Sequence, residues 1–364
     1  MKLTIVAGAR PNFMKIAPLI EAIEIKRESG IDIEYRLVHT GQHYDKNLSD
    51  TFFEQLGIPY PDVNLEVKSG TQAEQAAGIM IKFEEELQKH PTDVVVVVGD
   101  VTSTMACAIV TKKAHTKLAH VEAGIRSGDM RMPEEVNRIV TDSLTDYFFT
   151  TTQWASDNLL KSGVDERCVF KVGNVMIDTL RKHEHRFIKP AVWDDIGLIP
   201  NNYLVMTMHR PSNVDEKAQL RQLIEAISSY GEDIPIVFPV HPRTKKLLDD
   251  MDIEADNLYY SLPLGYLEFN YLVKHSKGVV TDSGGITEEA TVMNVPCITL
   301  RENTERPETC TIGTNELVGN DLEKLKNCFE TLKKGQWKQG GIPELWDGKA
   351  AERIISKLIE IHGL

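Results

Sequence analysis

The 364-residue chain is poor in cysteine, has no long apolar run and lacks a surplus of positive charge. Its five cysteines (Cys107, Cys168, Cys297, Cys310 and Cys328) are odd in number, scattered and never spaced C-x-x-C. That argues against a disulfide framework or a structural zinc site. No stretch approaches the roughly 18 consecutive apolar residues of a membrane-spanning helix. Lys and Arg number 41 against 54 Asp and Glu, a formal charge of −13. Nothing is left over to neutralise a phosphate backbone, so nucleic acid is not the expected partner. Neither G-x-x-x-x-G-K-[ST] nor a metal-ligand spacing is present, which argues against a P-loop and a bound metal. Met1 to Gly8 is too short and too soon interrupted for a signal peptide and reads as a first strand. A soluble cytoplasmic protein is the expected setting.

What is present is 41% apolar residues, enough for real cores, and a length that suggests two domains. Val94 to Val98 is five consecutive valines ending in Gly99-Asp100. Such a run suits a strand covered on both faces, hence a parallel sheet. Helical periodicity precedes it in Ala76, Ile79, Met80, Phe83 and Leu87, and a helix is expected from about Thr102. Strands near Leu118–Val121 and Tyr147–Phe149 continue the alternation. A fresh series starts at Leu204-Val205-Met206 and continues through Ile236–Phe238, Leu258–Tyr260, Val279-Val280 and Cys297–Thr299. The fold class expected is α/β, with two Rossmann-like doubly wound domains facing a central cleft. Residues 1–172 form the first and 173–348 the second, with a C-terminal helix, 349–364, packing back on the first.

The distinctive polar residues fall where these strands end. Asp282-Ser283-Gly284-Gly285 follows an apolar strand and opens a helix, an arrangement that aims unpaired N–H groups at an anion. A carboxylate a turn later, Glu288 or Glu289, is placed to meet a ribose hydroxyl. Other strand-end turns carry Arg10, Asp100, Glu122, His209, His241 and Arg306, with Glu134 and Arg138 just beyond one of them. Each has a plainer reading. Asp100 also suits the cap of the helix near Thr102. Glu122 and Glu134 also suit ion pairs with Arg126 and Arg138, and Lys15 suits a solvated helix surface. The convergence of carboxylates in one half and histidines in the other favours proton exchange with carbon, beside cations that offset a departing phosphate.

With those residues assembled, the chain resembles the bacterial non-hydrolysing UDP-N-acetylglucosamine 2-epimerase family nearly end to end. The likeness rests on Gly8-Ala9-Arg10-Pro11-Asn12-Phe13-Met14-Lys15, Thr40-Gly41-Gln42-His43, Gly99-Asp100-Val101-Thr102-Ser103-Thr104, Val121-Glu122-Ala123-Gly124, Pro133-Glu134-Glu135-x-Asn137-Arg138, Asp282-Ser283-Gly284-Gly285 and Thr304-Glu305-Arg306-Pro307-Glu308. The resemblance implies a GT-B-like fold and C2 epimerisation of UDP-GlcNAc to UDP-ManNAc, for cell-envelope polysaccharide precursors. The implied route eliminates UDP to 2-acetamidoglucal and adds it back, with no cofactor. It implies catalytic roles for Asp100, Glu122, Glu134 and His209. It implies substrate and UDP contacts for Arg10, Lys15, Arg138, His241, Phe269, Ser283, Gly284, Gly285, Glu289 and Arg306. Gln42 and His43 match positions for a second, activating UDP-GlcNAc, and a homodimer is implied. Two departures bear on specificity. Pro211-Ser212-Asn213 stands where many members carry Arg-Glu-Asn, and Ser69-Gly70 replaces an Arg-Gln pair of the activating site. The alternatives are another UDP-2-acetamido sugar, a hydrolysing epimerase, a GT-B glycosyltransferase or a non-catalytic UDP-sugar sensor.

Overall fold

The computed structural model describes residues 1–364 except 42–55, 69, 215, 241–244, 246, 247, 249, 250, 252 and 254, and omits the side chains of Arg10, Pro11, Pro211 and Ser212. Two compact units emerge, Met1–Lys182 with Glu344–Leu364, and His183–Pro343. The first has strands β1 (Lys2–Ala7), β2 (Glu34–His39), β3 (Val63–Asn64), β4 (Val94–Val98), β5 (Lys117–Val121), β6 (Tyr147–Thr150) and β7 (Val169–Lys171). They form a parallel sheet in the order β3-β2-β1-β4-β5-β6-β7. Helices α1 (Arg10–Glu28), α2 (Gln72–Lys89), α3 (Thr102–Lys113), α4 (Pro133–Leu144), α5 (Gln153–Lys161) and α6 (Val175–His183) follow the strands. All five valines of β4 are buried, because the sheet is covered on both faces.

The second unit has β8 (Leu204–Thr207), β9 (Ile236–Pro239), β10 (Leu258–Ser261), β11 (Gly278–Thr281), β12 (Cys297–Thr299) and β13 (Asn315–Leu317). Their order is β10-β9-β8-β11-β12-β13, again parallel. The helices used below are α7 (Pro211–Val214), α8 (Tyr266–His275) and α9 (Gly284–Val292). Each unit is therefore a Rossmann-like doubly wound sheet. The strand order reverses between β1 and β4 in one and between β8 and β11 in the other, and such switch points are where these sheets bind ligands.

The C-terminal helix α10 (Ala350–Ile361) belongs to the first unit, and so does α6 up to Lys182. Asp178 on α6 accepts hydrogen bonds from the backbone N–H groups of Ala350 (3.1 Å) and Ala351 (2.7 Å), satisfying two donors at the start of α10. Thr179 Oγ1 donates to the Met14 carbonyl at 2.5 Å. These contacts carry the first unit to residue 182, ten residues beyond the division at 172 expected from sequence. Among the described residues, no helix is long and apolar enough to cross a membrane.

Candidate functional site

In the first unit the polar residues gather around the ends of β1, β4 and β5. Asn12 knits two of these ends together. Its Oδ1 accepts from the N–H groups of Gly8 (3.2 Å) and Ala9 (3.0 Å), and its Nδ2 donates to the Val98 carbonyl (3.0 Å). Gly99 has φ +70°, and a Cβ there would lie 3.2 Å from Lys15 Nζ, 3.5 Å from Asn12 Nδ2 and 3.6 Å from Glu122 Oε2. The turn after β4 thus stays bare while three polar side chains close around it. Lys15, on the inner face of α1, forms an ion pair with the buried Glu122 and is not a solvated surface charge. Glu122 itself has φ +74°, a left-handed conformation that costs a non-glycine residue energy and is concentrated at functional sites.

Asp100 does not cap the following helix, whose N-cap is Val101. Its Oδ2 instead accepts from Arg138 Nε (3.0 Å) and Nη2 (2.6 Å). Arg138 is buried, and its Nη1 donates to Glu135 Oε2 at 2.7 Å. The neighbour named from sequence, Glu134, is half-exposed and is not the partner of Arg138. Pro133 starts α4, and positions 135, 138 and 142 share its inner face while 134 does not. Glu135 also accepts from the Ser127 (2.8 Å) and Gly128 (3.0 Å) N–H groups. Burial pushes its carboxyl up, but those N–H groups and Arg138 more than offset this and hold it below the usual carboxylate value.

Behind these groups lies a buried pair that the sequence reading did not single out. His120 Nδ1 lies 2.7 Å from Asp142 Oδ1, and His120 Nε2 lies 2.9 Å from the Gly99 carbonyl oxygen. Asp142 also accepts from the Gly124 N–H (3.1 Å) and pairs with Arg126 at 2.6 Å. Arg126 thus serves Asp142, not Glu122. Burial alone would raise the Asp142 carboxyl, but His120 and Arg126 bring it below its ordinary value. The signal for this pair was a histidine inside Lys117-Leu118-Ala119-His120-Val121, a strand buried on both faces that must supply it a partner. Gly124 (φ +77°) packs so closely on α5 that a Cβ would overlap the Ala155 carbonyl. Gly124→Ala is expected to destabilise the chain by roughly 3 kcal/mol, the sum of left-handed strain and backbone displacement. The midpoint of urea unfolding measures it.

In the second unit the corresponding groups stand at the ends of β8 and β11. Ser283 is the N-cap of α9 and makes no side-chain capping bond, and no acidic residue occupies the first turn. A Cβ on Gly285 would meet nothing within 4 Å, whereas one on Gly284 would lie 3.1 Å from Glu305 Oε1. The helix start is therefore open beside Gly285, with its N–H groups and dipole available to an anion. Asp282 is fully buried at this turn. It accepts from the backbone N–H groups of His209 (3.0 and 3.1 Å) and Arg210 (2.9 Å) and from Asn213 Nδ2 (3.1 Å). His209 Nδ1 lies 2.9 Å from its Oδ1. Burial would raise the Asp282 carboxyl, but these donors hold it below its ordinary value.

Glu288 and Arg306 form a buried ion pair at 2.5 Å, so Arg306 has a carboxylate partner within its own unit. Glu305 lies 2.5 Å from Arg301 and 3.9 Å from Arg210. Glu289 is buried and accepts from the Tyr266 hydroxyl at 2.9 Å. Phe269, one turn along α8 from Tyr266, packs against the apolar cluster of Leu272, Val273 and Ala290. His241, Gln42, His43 and Ser69 lie outside the described residues, as does the side chain of Arg10. Among the described residues, no group of three or more His, Cys, Asp or Glu is arranged to hold a metal ion.

The family model for UDP-N-acetylglucosamine 2-epimerase matches residues 24–359. The chain belongs to that family. It is 41% identical to the UDP-N-acetylglucosamine 2-epimerase of Methanocaldococcus jannaschii, over 98% of each chain. It is 39% identical to the UDP-2,3-diacetamido-2,3-dideoxy-D-glucuronate 2-epimerase of Pseudomonas aeruginosa, over 99% of this chain and all of the other. The crystal structure of the M. jannaschii enzyme in complex with UDP-GlcNAc and UDP superposes with a TM-score of 0.86, covering 99% of this chain and 100% of that one at 41% identity. The likeness to this UDP-N-acetylglucosamine 2-epimerase extends over both units, so the fold expected from the resemblance is the one observed.

Within this family member, Glu289 gives a pH signature of its own. Burial pushes its carboxyl from 4.5 up to about 7, Glu288 adds to the rise, and the Tyr266 hydroxyl and Asn270 offset part of it. The folded chain then holds this proton more tightly than the unfolded chain. The stabilising contribution is complete below about 4.5 and is lost as pH rises through about 7. Glu289→Gln is expected to be more favourable, relative to the parent, at pH above 7 than at pH near 5. Unfolding free energies at the two pH values check the sign.

Proposed function

We propose that the chain interconverts UDP-GlcNAc and UDP-ManNAc without hydrolysing them. The observation that carries this reading is the pair Asp100 and Glu122 at the ends of adjacent strands, each beside its own cation, Arg138 or Lys15. The C2 proton of the sugar is not acidic, so the C1–O bond must weaken as the proton leaves. One carboxylate removes the C2 proton, the C1–O electron pair departs with UDP, and 2-acetamidoglucal remains bound. UDP then adds back at C1 while a proton is delivered to the opposite face of C2. The proposal gives the reprotonation to another of Asp100, Glu122 and Glu134, and the uridine diphosphate to the Ser283–Gly285 turn. There the helix start offsets charge building on the leaving group, Glu289 takes the ribose and Phe269 the uracil. Arg10, His209, His241 and Arg306 contribute donors and positive charge in the same reading. A homodimer belongs to it and is checked by light scattering.

The name of the P. aeruginosa relative supports a second reading, a UDP-2-acetamido uronic acid as substrate. Pro211-Ser212-Asn213 departs from the usual sequence beside His209, which is compatible with a different sugar. A proton NMR time course with UDP-GlcNAc in deuterated buffer separates these outcomes. Formation of UDP-ManNAc with deuterium at C2 is expected. Free ManNAc and UDP would instead indicate hydrolysis. An unchanged UDP-GlcNAc spectrum alongside turnover of the diacetamido uronic acid UDP-sugar would select the second reading.

A further inference from the structure

The Asp282 carboxylate is surrounded by donors. Two are backbone N–H groups, from His209 and Arg210, and a third is the Asn213 amide. The orientation of that amide is fixed independently, because Asn213 Nδ2 also donates to the Leu300 carbonyl at 3.2 Å. The remaining contact is His209 Nδ1 at 2.9 Å. An ionised carboxylate only accepts hydrogen bonds. A contact of this length with Nδ1 therefore requires the proton to sit on Nδ1. We infer that Asp282 is a positioning residue that fixes His209 as the Nδ1–H tautomer and leaves Nε2 bare at the exposed edge of the ring.

The fold dictates this contact. Strands β8 and β11 are paired with Thr207 opposite Thr281, so the residue after β11 lies against the turn after β8. Asp282 is buried and its carboxylate is held from several sides, whereas the His209 side chain is 63% exposed. The exposed ring is thus oriented from beneath while its other nitrogen stays accessible. The tautomer of a histidine is set by the partner of its less accessible nitrogen, and the nitrogen left over decides what it can do. A bare Nε2 can take up a proton, and once protonated it can donate to a phosphate oxygen. A ring in the opposite tautomer offers only a fixed donor. The consequence for turnover rests on the epimerase reading above. The tautomer itself does not.

Long-range proton–nitrogen correlation spectra of the free protein test it, at a pH where the ring is neutral. The His209 signals are assigned by their loss in His209→Gln. The expected spectrum has a protonated Nδ1 and an unprotonated Nε2. Asp282→Asn keeps the shape but presents an NH₂ group that donates to Nδ1, so the ring is expected to switch to Nε2–H. With UDP-GlcNAc, kcat is then expected to fall on the order of 10²-fold or more, as for other misprotonated Asp–His pairs, with KM within about threefold. An Nε2–H ring in the parent overturns the inference, and this readout needs no variant of Asp282 to fold. A switched tautomer with unchanged kcat overturns the positioning role. A parent that shows the Nδ1–H ring but does not turn over UDP-GlcNAc sinks the substrate reading and leaves the assignment of Asp282 standing.

Discussion

Asp100→Asn and Glu122→Gln are each expected to lower kcat by roughly 10²- to 10⁴-fold while leaving UDP binding within a few-fold of the parent. That range is the usual contribution of a positioned general acid or base. Both substitutions keep shape but remove the negative charge together with the ability to exchange a proton, so each also weakens an ion pair, Asp100 with Arg138 or Glu122 with Lys15. In Glu122→Gln the amide would occupy the same left-handed turn as the native carboxylate and its oxygen can still accept from Lys15, but the buried ion pair is lost, so the stability of the variant is measured beside its rate. The donors expected to hold UDP, at Ser283 to Gly285, belong to the other unit. Rate measurements with UDP-GlcNAc, paired with calorimetric titration of UDP, separate the two effects. Near-normal turnover by both folded variants would remove the carboxylates from the mechanism. Loss of UDP binding in parallel with rate would show that they act on the nucleotide.

Arg138→Met is expected to do two kinds of damage. Arg138 is buried and bridges Asp100 to Glu135, and Glu135 is itself buried. Removing the cation leaves the Glu135 carboxylate with only the Ser127 and Gly128 N–H groups to offset its burial. Breaking one side of a buried ion pair typically costs about 3–5 kcal/mol. For a domain of this size that corresponds to a fall of roughly 10 °C in Tm. Adding Glu135→Gln to Arg138→Met neutralises the stranded charge and is expected to recover part of the stability. It is not expected to recover kcat, because Asp100 still lacks the guanidinium that orients it. Recovery of both together would show that Arg138 acts on activity only through folding. Thermal unfolding and initial rates of the single and double variants decide.

Much of this molecule was legible along the chain because the signals are local. Five valines in a row point to a strand covered on both faces, and Ser283-Gly284-Gly285 after an apolar strand points to a helix start with open N–H groups. The polar strand ends followed from the alternation of apolar strands with amphipathic helices. Their residue types also carried the resemblance to the epimerase family. What the chain could not disclose is how those ends are wired. The choice of Glu135 over Glu134 for Arg138 depends on which face of α4 turns inward. The partners of Asp282 on the β8 side lie 69 to 73 positions away, and Asp142 reaches His120 across 22. The extension of the first unit to residue 182 depends on Asp178 meeting a helix that begins at Ala350. Local sequence fixes backbone conformation and the apolar face, because both depend on near neighbours. The pairing of buried charges depends on strand register and helix rotation, which exist only once the sheets have assembled.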